Sequence, residues 1–427
     1  MSEATRLGAW WREPTRPQWV TFLAAWSGWV LDGFDFTIFL LAMSEIVKEF
    51  GVSYVATTGS IFLTLVLRLV GGMGAGWVAD RWGRKLPLMI SIVWFALCDG
   101  AVAFAPTFGW VLVFRTLFGL GMGAEWTSGA TLAMENWPQR SRGIASGMLQ
   151  GSWAIGYILA AAAYGWIVPA FGWRALFLVA ALPALLVLPI RIWVPESPDW
   201  KKAVEAKAKV TLADIKAEKV VLRVVWASLL YGTSFAVYYG LQGMWPTLLK
   251  TELGRSPGDV AWLVTAFNVG MMFGAVTWGA TAAKRGVVLA LTVPLLLLLP
   301  ALPLYVSASP GLLWVGAVVA GATGAGISGV TPLLLTLLFP ARVRAMAVGI
   351  VYHVGALLAA ATPMLIAWLA RDGRMPLSTA ISGTVAGAAL LTVAILFLRP
   401  AGALPSIALG DSSVTPGESP AHPQQKA

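Results

Sequence analysis

Seven ionisable residues of this sequence lie inside long apolar runs: Asp32, Asp35, Arg68, Asp99, Arg115, Glu125 and His353. A charge in hydrocarbon is costly, so each is a candidate for proton or ligand chemistry before it is anything else. Asp32 and Asp35 are three apart and share one helical face. A carboxylate beside a guanidinium stays ionised, whereas one left alone in apolar surroundings keeps its proton. A buried acid–base pair that opens and closes would therefore bind and release a proton, and Asp35 and Arg115 enter their runs at comparable depth. Arg68 sits near the centre of its run. A planar guanidinium suits a bidentate grip on a carboxylate, so Arg68 is a candidate anchor for an acidic substrate; an internal ion pair to Asp32 or Asp99 is the competing reading. His353 is the only histidine outside the C-terminal tail, and with Gln150, Tyr239, Gln242 and Asn268 it forms a set of neutral candidates for substrate contact. Asp99 beside Gly100 is expected to be structural, and Trp126, Trp153 and Trp245 are candidates for apolar lining.

The elements that must position these residues follow from composition. Of 427 residues, 58% are hydrophobic and 12% charged, and the mean hydropathy is +0.75. That is about half the charge a soluble protein carries, which excludes a soluble enzyme and a disordered chain. The single Cys98 excludes a disulfide scaffold. Twelve runs are long enough to span a bilayer: 19–43, 54–79, 86–105, 110–133, 143–167, 173–194, 223–249, 259–283, 287–307, 311–337, 345–370 and 375–398. The expected fold is an all-α membrane protein of twelve transmembrane helices in two pseudo-symmetric six-helix bundles, 19–194 and 223–398. A cytoplasmic segment 1–18, a cytoplasmic linker 195–222 and a disordered tail 399–427 complete it. With residue 1 on the inside, 22 basic residues fall on that side and six on the other. This bias predicts a multi-pass protein of the cytoplasmic (inner) membrane with both termini cytoplasmic. The net charge of +10 is thus a topology signal, and no nucleic-acid partner is expected. No G-K-[ST] motif and no His/Cys/Asp cluster occurs, so nucleotide-driven transport, intramembrane enzyme chemistry, a metal and a cofactor are not expected.

The halves repeat. WPQRSRGIASG at 137–147 and FPARVRAMAVG at 339–349 share one frame at an offset of 202 residues, and GWVADRWG matches GATAAKRG at 203. Parallel repeats of this kind place a binding site between the halves at the membrane midplane.

The loop GGMGAGWVADRWGRK contains Gly72, Gly76, Asp80, Arg81, Gly83, Arg84 and Lys85. It resembles the signature loop of the major facilitator superfamily, G-x3-G-x-[LV]-A-D-R-x-G-R-[KR]. The resemblance implies a gating latch that holds the cytoplasmic helix ends together in the outward-facing state. Ala283 stands where the second half would carry the acid, so a latch there would be weaker. Glu135 and Arg142, in an E-x6-R spacing, and Glu196 resemble the superfamily's intracellular charge network. The stretches AAWSGWVLDGFDFTIFLLAMSEI, FRTLFGLGMGAE, LAMENWPQRSRGIASG, FGWRALF and VPESPDW are similar to the sialate:proton symporter branch, which includes sialic acid and lactate/pyruvate transporters. GLQGMWPTLLKT at 240–251 is similar to a monocarboxylate-permease stretch, with Tyr239 and Gly243 in place of that family's His and Asp.

The resemblance implies proton-coupled uptake of a small organic acid, a monocarboxylate or sialic-acid-like acid, by a monomer working through alternating access. Asp35 and Arg115 match the acid and base used for coupling, and Asp32 and Glu125 lie in the same motifs as alternative proton carriers. A facilitator or exporter of aromatic or uncharged compounds is the alternative; the exporters' Gly-Pro signature is missing, since Ser152 follows Gly151.

Overall fold

A computed structural model describes residues 10–52, 54–192, 194–205, 220–340, 343–370 and 374–400. Most of the predicted linker and the tail beyond residue 400 lie outside the described residues. Hydrocarbon offers no partner to a backbone amide, so each apolar run closes its own hydrogen bonds as a helix. In the first half these are α1 (Arg16–Leu41), α2 (Tyr54–Trp82), α3 (Lys85–Ala103) and α4 (Phe108–Asn136), then a long helical stretch Arg142–Ile192. Gly172, at φ 77° and ψ 171°, breaks that stretch into α5 before it and α6 after it. The left-handed φ there is one that side-chain-bearing residues avoid.

The second half holds α7 (Val220–Gly243), prolonged by the short helix Trp245–Thr251, then α8 (Pro257–Arg285) and α9 (Val287–Tyr305). After these, α10 (Pro310–Ala320) runs through irregular turns at Gly321–Val330 into Thr331–Leu338. α11 (Arg344–Ala359) continues past a break as Thr362–Ala370, and α12 (Leu377–Phe397) completes the bundle. The expected runs and the observed helices differ by a few residues at each end. The fold is the predicted all-α one, with two six-helix bundles and no strand among the described residues. Two short helices lie outside the bundles: Met43–Phe50 after α1, and Pro198–Glu205 after α6.

The halves meet where α2 crosses α11 and where α5 crosses α8. Both crossings are made by small residues in equivalent places of the repeat. A methyl group on Gly76 would sit 2.5 Å from the Met346 Cα, and one on Gly349 would sit 2.5 Å from the Gly72 carbonyl oxygen. At the other crossing a methyl on Gly143 would overlap the Gly279 carbonyl, and one on Gly147 the Ala275 carbonyl. Glycine is required at these positions because backbone touches backbone. The outer faces of the bundles carry exposed Phe, Leu and Trp side chains, as a lipid-facing surface requires.

Candidate functional site

A cavity of about 1010 Å³ lies between the halves. α1, α2, α5, α7, α10 and α11 all contribute to its wall. It reaches Phe62, Pro246 and Met364 at one end of the helices. The opposite end, where Arg84, Lys85 and Arg142 lie, is closed by the two glycine crossings and by a charge network.

That network is anchored on buried groups. Arg84, with a fully buried side chain, pairs with Glu135 at 3.2 Å and with Asp80 at 3.2 Å. Glu135 also receives Arg344 from the other half at 2.7 Å, and Arg344 reaches Asp199 at 3.2 Å. The Ser197 hydroxyl donates to Glu135 as well. Asp80 accepts from the backbone amides of Ala345 at 3.3 Å and Met346 at 3.0 Å, which are the second and third residues of α11. These are amides that the helix itself leaves without partners, at the positive end of its dipole. Glu196 accepts from the backbone amides of Arg84 and Lys85 at 2.9 and 3.1 Å, and Lys85 Nζ donates to the Ile192 carbonyl. Gly83, at φ 100°, makes the turn that brings α3 under Glu196. Arg81 stands apart, its guanidinium over the Trp77 ring at 4.6 Å.

Glu135 and Arg142, which share the E-x6-R spacing, take different partners. Arg142 donates to the Trp137 carbonyl at 3.0 Å, and Glu135 takes Arg84 and Arg344 instead. Arg344 and Asp199 were missed as network members. The signal for Arg344 was present, because it is the repeat partner of Arg142 in the P-x-R-x-R frame.

The buried acids group in two pairs along α1. Asp32 meets Glu125 of α4 carboxyl to carboxyl, within the electrostatic reach of Arg68. Asp35 meets Asp99 of α3 in the same way. All four are 1% exposed or less. Here the structure corrects the expectation of an Asp35–Arg115 side-chain pair. Arg115 binds the Asp99 carboxylate at 3.0 Å and reaches only the backbone carbonyl of Asp35, at 3.5 Å. Asp99, expected to be peripheral, is thus the hub of the site: it joins the Arg115 cation to the Asp35 carboxyl group. Spacing along α1 did not reveal the helix that faces each acid.

Arg68 lines the cavity, and its residue is 5% exposed. Among the described residues it forms no ion pair, and its Nε and one terminal nitrogen have no hydrogen-bond partner. Its guanidinium lies 5.7 Å from the Trp29 ring and 5.5 Å from the Tyr352 ring. The competing internal ion pair to Asp99 is not formed, because Asp99 is taken by Arg115. Gln150, Tyr239 and Gln242 line the cavity as expected, and so does Trp153.

Asn268 and His353 do not line it. Asn268 accepts from Gln242 Nε2 at 3.3 Å and so positions that side chain from behind. His353 is buried in the α11 contact with α4 and α2, near Thr127 Oγ1 at 3.4 Å and the Gly123 carbonyl at 3.3 Å. Trp126 stacks on Tyr352 with ring centres 3.5 Å apart, and Trp245 stacks on Tyr305 at 4.4 Å, so both pack rather than line. Trp29 and Tyr352, which flank Arg68, were not singled out from the sequence. An apolar run supplies no phase that marks which aromatic turns inward.

A family profile described as Major Facilitator Superfamily matches residues 25–247 and 227–419. The chain is 29% identical over 395 residues to the Sialic acid transporter NanX of Escherichia coli (strain K12), covering 92% of this chain and 97% of that protein. It is 29% identical over 385 residues to the Cis,cis-muconate transport protein of Acinetobacter baylyi (strain ATCC 33305 / BD413 / ADP1), covering 85% and 90%. Its fold is similar to that of the proton:xylose symporter XylE solved with 6-bromo-6-deoxy-D-glucose. The TM-score is 0.70 and the identity 18%, over 89% of this chain and 95% of the other.

Proposed function

The chain belongs to the Major Facilitator Superfamily and is a multi-pass membrane transporter, not an enzyme, and from that premise we propose that it takes up a small organic acid together with a proton. The single observation that carries this reading is Arg68. It is a buried cation without an ion pair among the described residues, it lines the cavity between the halves, and Asp32 and Glu125 lie close by. An acid entering the cavity supplies the carboxylate that Arg68 lacks. Relatives named for transport of sialic acid and of muconate support an organic acid as cargo.

Coupling then follows from differential affinity, since a ligand shifts a conformational equilibrium only by binding one state better than the other. In this reading the pairs Asp35–Asp99 and Asp32–Glu125 carry protons while the basic end is closed. Arg115 supplies the charge that Asp99 needs when a proton leaves. Gly76, Asp80, Gly83, Arg84, Lys85, Glu135 and Glu196, joined by Arg344 and Asp199, hold the basic end shut. Arg81 and Arg142 contribute charge at the same surface. The positive-inside bias supports placing that end in the cytoplasm, at the inner membrane, with the cavity open to the outside, and in this reading the protein acts as a monomer.

The test is uptake by proteoliposomes under an inward proton gradient, with lactate, pyruvate, a dicarboxylate, an aromatic acid and sialic acid, each with and without a protonophore. Accumulation of an acid that collapses with protonophore supports symport. Movement of neutral or cationic compounds alone, with no acid accumulated, overturns it.

A further inference from the structure

The cavity wall specifies more than an acid. Resting on the reading of Arg68 as the carboxylate anchor, we infer that the substrate is a planar aromatic monocarboxylate, held by Arg68 and stacked in an aromatic cage.

Three observations converge on that chemistry. The first is the wall itself. Trp29, Trp153, Tyr157, Phe235, Tyr239 and Tyr352 all line the cavity. Their rings are already arrayed against one another. Trp29 and Trp153 lie 4.9 Å apart between centres, Phe235 stacks on Tyr239 at 5.9 Å, and Phe235 meets Tyr352 edge-on at 5.0 Å. Such spacings match the offset and edge-to-face geometries that aromatic pairs prefer, so a further flat ring extends the cluster.

The second is charge. Among the described residues lining the cavity Arg68 alone is charged, which matches one carboxylate and leaves a second without a partner. Its guanidinium lies 5.7 Å from the Trp29 ring and 5.5 Å from the Tyr352 ring, so a carboxylate it grips is attached to a group lying against aromatic rings.

The third is the shortage of uncommitted polar groups. Gln242 is tied to Asn268, the Gln150 oxygen accepts from Trp126 at 3.4 Å, and the Ser234 hydroxyl donates to the Leu230 carbonyl at 2.8 Å. The Ser328 hydroxyl has no partner and, with the tyrosine hydroxyls, could meet a single substituent on a ring. A sugar acid with a hydroxyl on nearly every carbon would bury several of them unpaired, which a site of this kind rejects strongly.

The experiment measures binding and uptake by the full-length protein in nanodiscs and proteoliposomes. Binding is followed by quenching of tryptophan fluorescence, to which Trp29 and Trp153 report directly. The ligands are benzoate, cyclohexanecarboxylate, benzamide, lactate and sialic acid. Benzoate is expected to quench and to accumulate with the proton gradient. Cyclohexanecarboxylate should bind about tenfold more weakly for want of a ring face, and benzamide should fail for want of a charge. Trp29→Phe should lower benzoate affinity several-fold, with the protein's thermal unfolding unchanged. Accumulation of sialic acid or lactate without benzoate would overturn the aromatic assignment and leave the organic-acid reading standing. Transport of benzamide with no acid accumulated would overturn both.

Discussion

The Asp80 carboxylate, borne by the first half of the molecule, caps the N-terminus of a helix in the second half, accepting from the Met346 amide at 3.0 Å. It is a charge placed on a helix dipole, and it exists only while the basic end is closed. Asp80→Asn removes the charge and keeps the shape. The expected result is a loss of roughly 1–2 kcal/mol from the closed state, a five- to thirty-fold shift toward opening at that end. Protection of an introduced cysteine in the basic-end cleft would read it, and unaltered protection would remove Asp80 from the latch.

Asp35→Asn should abolish accumulation driven by a proton gradient while leaving counterflow exchange of substrate. Asparagine keeps the size and polarity of the side chain and cannot carry an exchangeable proton. The two assays on one preparation separate coupling from binding. Undiminished accumulation would assign the proton to Asp32 and Glu125.

Arg68→Lys should weaken substrate binding at least tenfold despite keeping the charge. An ammonium offers neither the planar fork nor the flat face that lies beside Trp29 and Tyr352. Titration of the variant with the transported acid measures it, and wild-type affinity would make Arg68 a mere point charge.

Gly279→Ala places a methyl against the Gly143 carbonyl at the second crossing. The closed state should be pried apart there, while the open state is untouched. Spin labels at positions 140 and 284, one on each half, should report a longer distance than in the parent. An unchanged distance with unchanged transport would show that the crossing gives way elsewhere.

Glu49 ties the short helix after α1 to the start of α6, accepting from Trp173 Nε1 at 2.6 Å and from Arg174. Partial burial alone would push its carboxyl up, but those hydrogen bonds and the Arg174 charge outweigh it and hold it below its ordinary 4.5. A depressed value means stability that is present above pH 4.5 and is lost as pH falls through the folded value. The pair is largely solvated, so the loss is at most about 1 kcal/mol. Thermal unfolding of wild type and Glu49→Gln should differ at pH 7 and converge in acid.

The legibility of the molecule in its sequence divides along a physical line. Helix positions were readable because bilayer thickness fixes length, and even the break between α5 and α6 fell in the gap expected from 167 to 173, at Gly172. Position along a helix was readable for the same reason, since Asp32 and Asp35 fall within α1 and Arg115 within α4. Azimuth was not. Helices with apolar residues on every face give no phase, and so Asp99 rather than Asp35 received the Arg115 side chain. His353 and Asn268 proved to be supports behind the cavity for the same reason. The internal repeat held phase information in another form, for it paired Arg142 with Arg344 and Gly76 with Gly279 before any contact was known.

The two glycine crossings also set how the molecule can move. Interlocked side chains act as teeth, and parting them demands rotamer changes on both surfaces. Where the Gly143 and Gly279 backbones touch directly, there are no teeth, and Ala283 adds no charge to hold that corner. The α5–α8 contact is therefore a plain bearing, and the α2–α11 contact, with Asp80 on α11, is a bearing fitted with a catch. A transporter built this way swings from one corner, and its opening is governed by a few carboxylates there, Asp80 on the α11 amides and Glu135 and Asp199 on Arg344, rather than by the area of the interface.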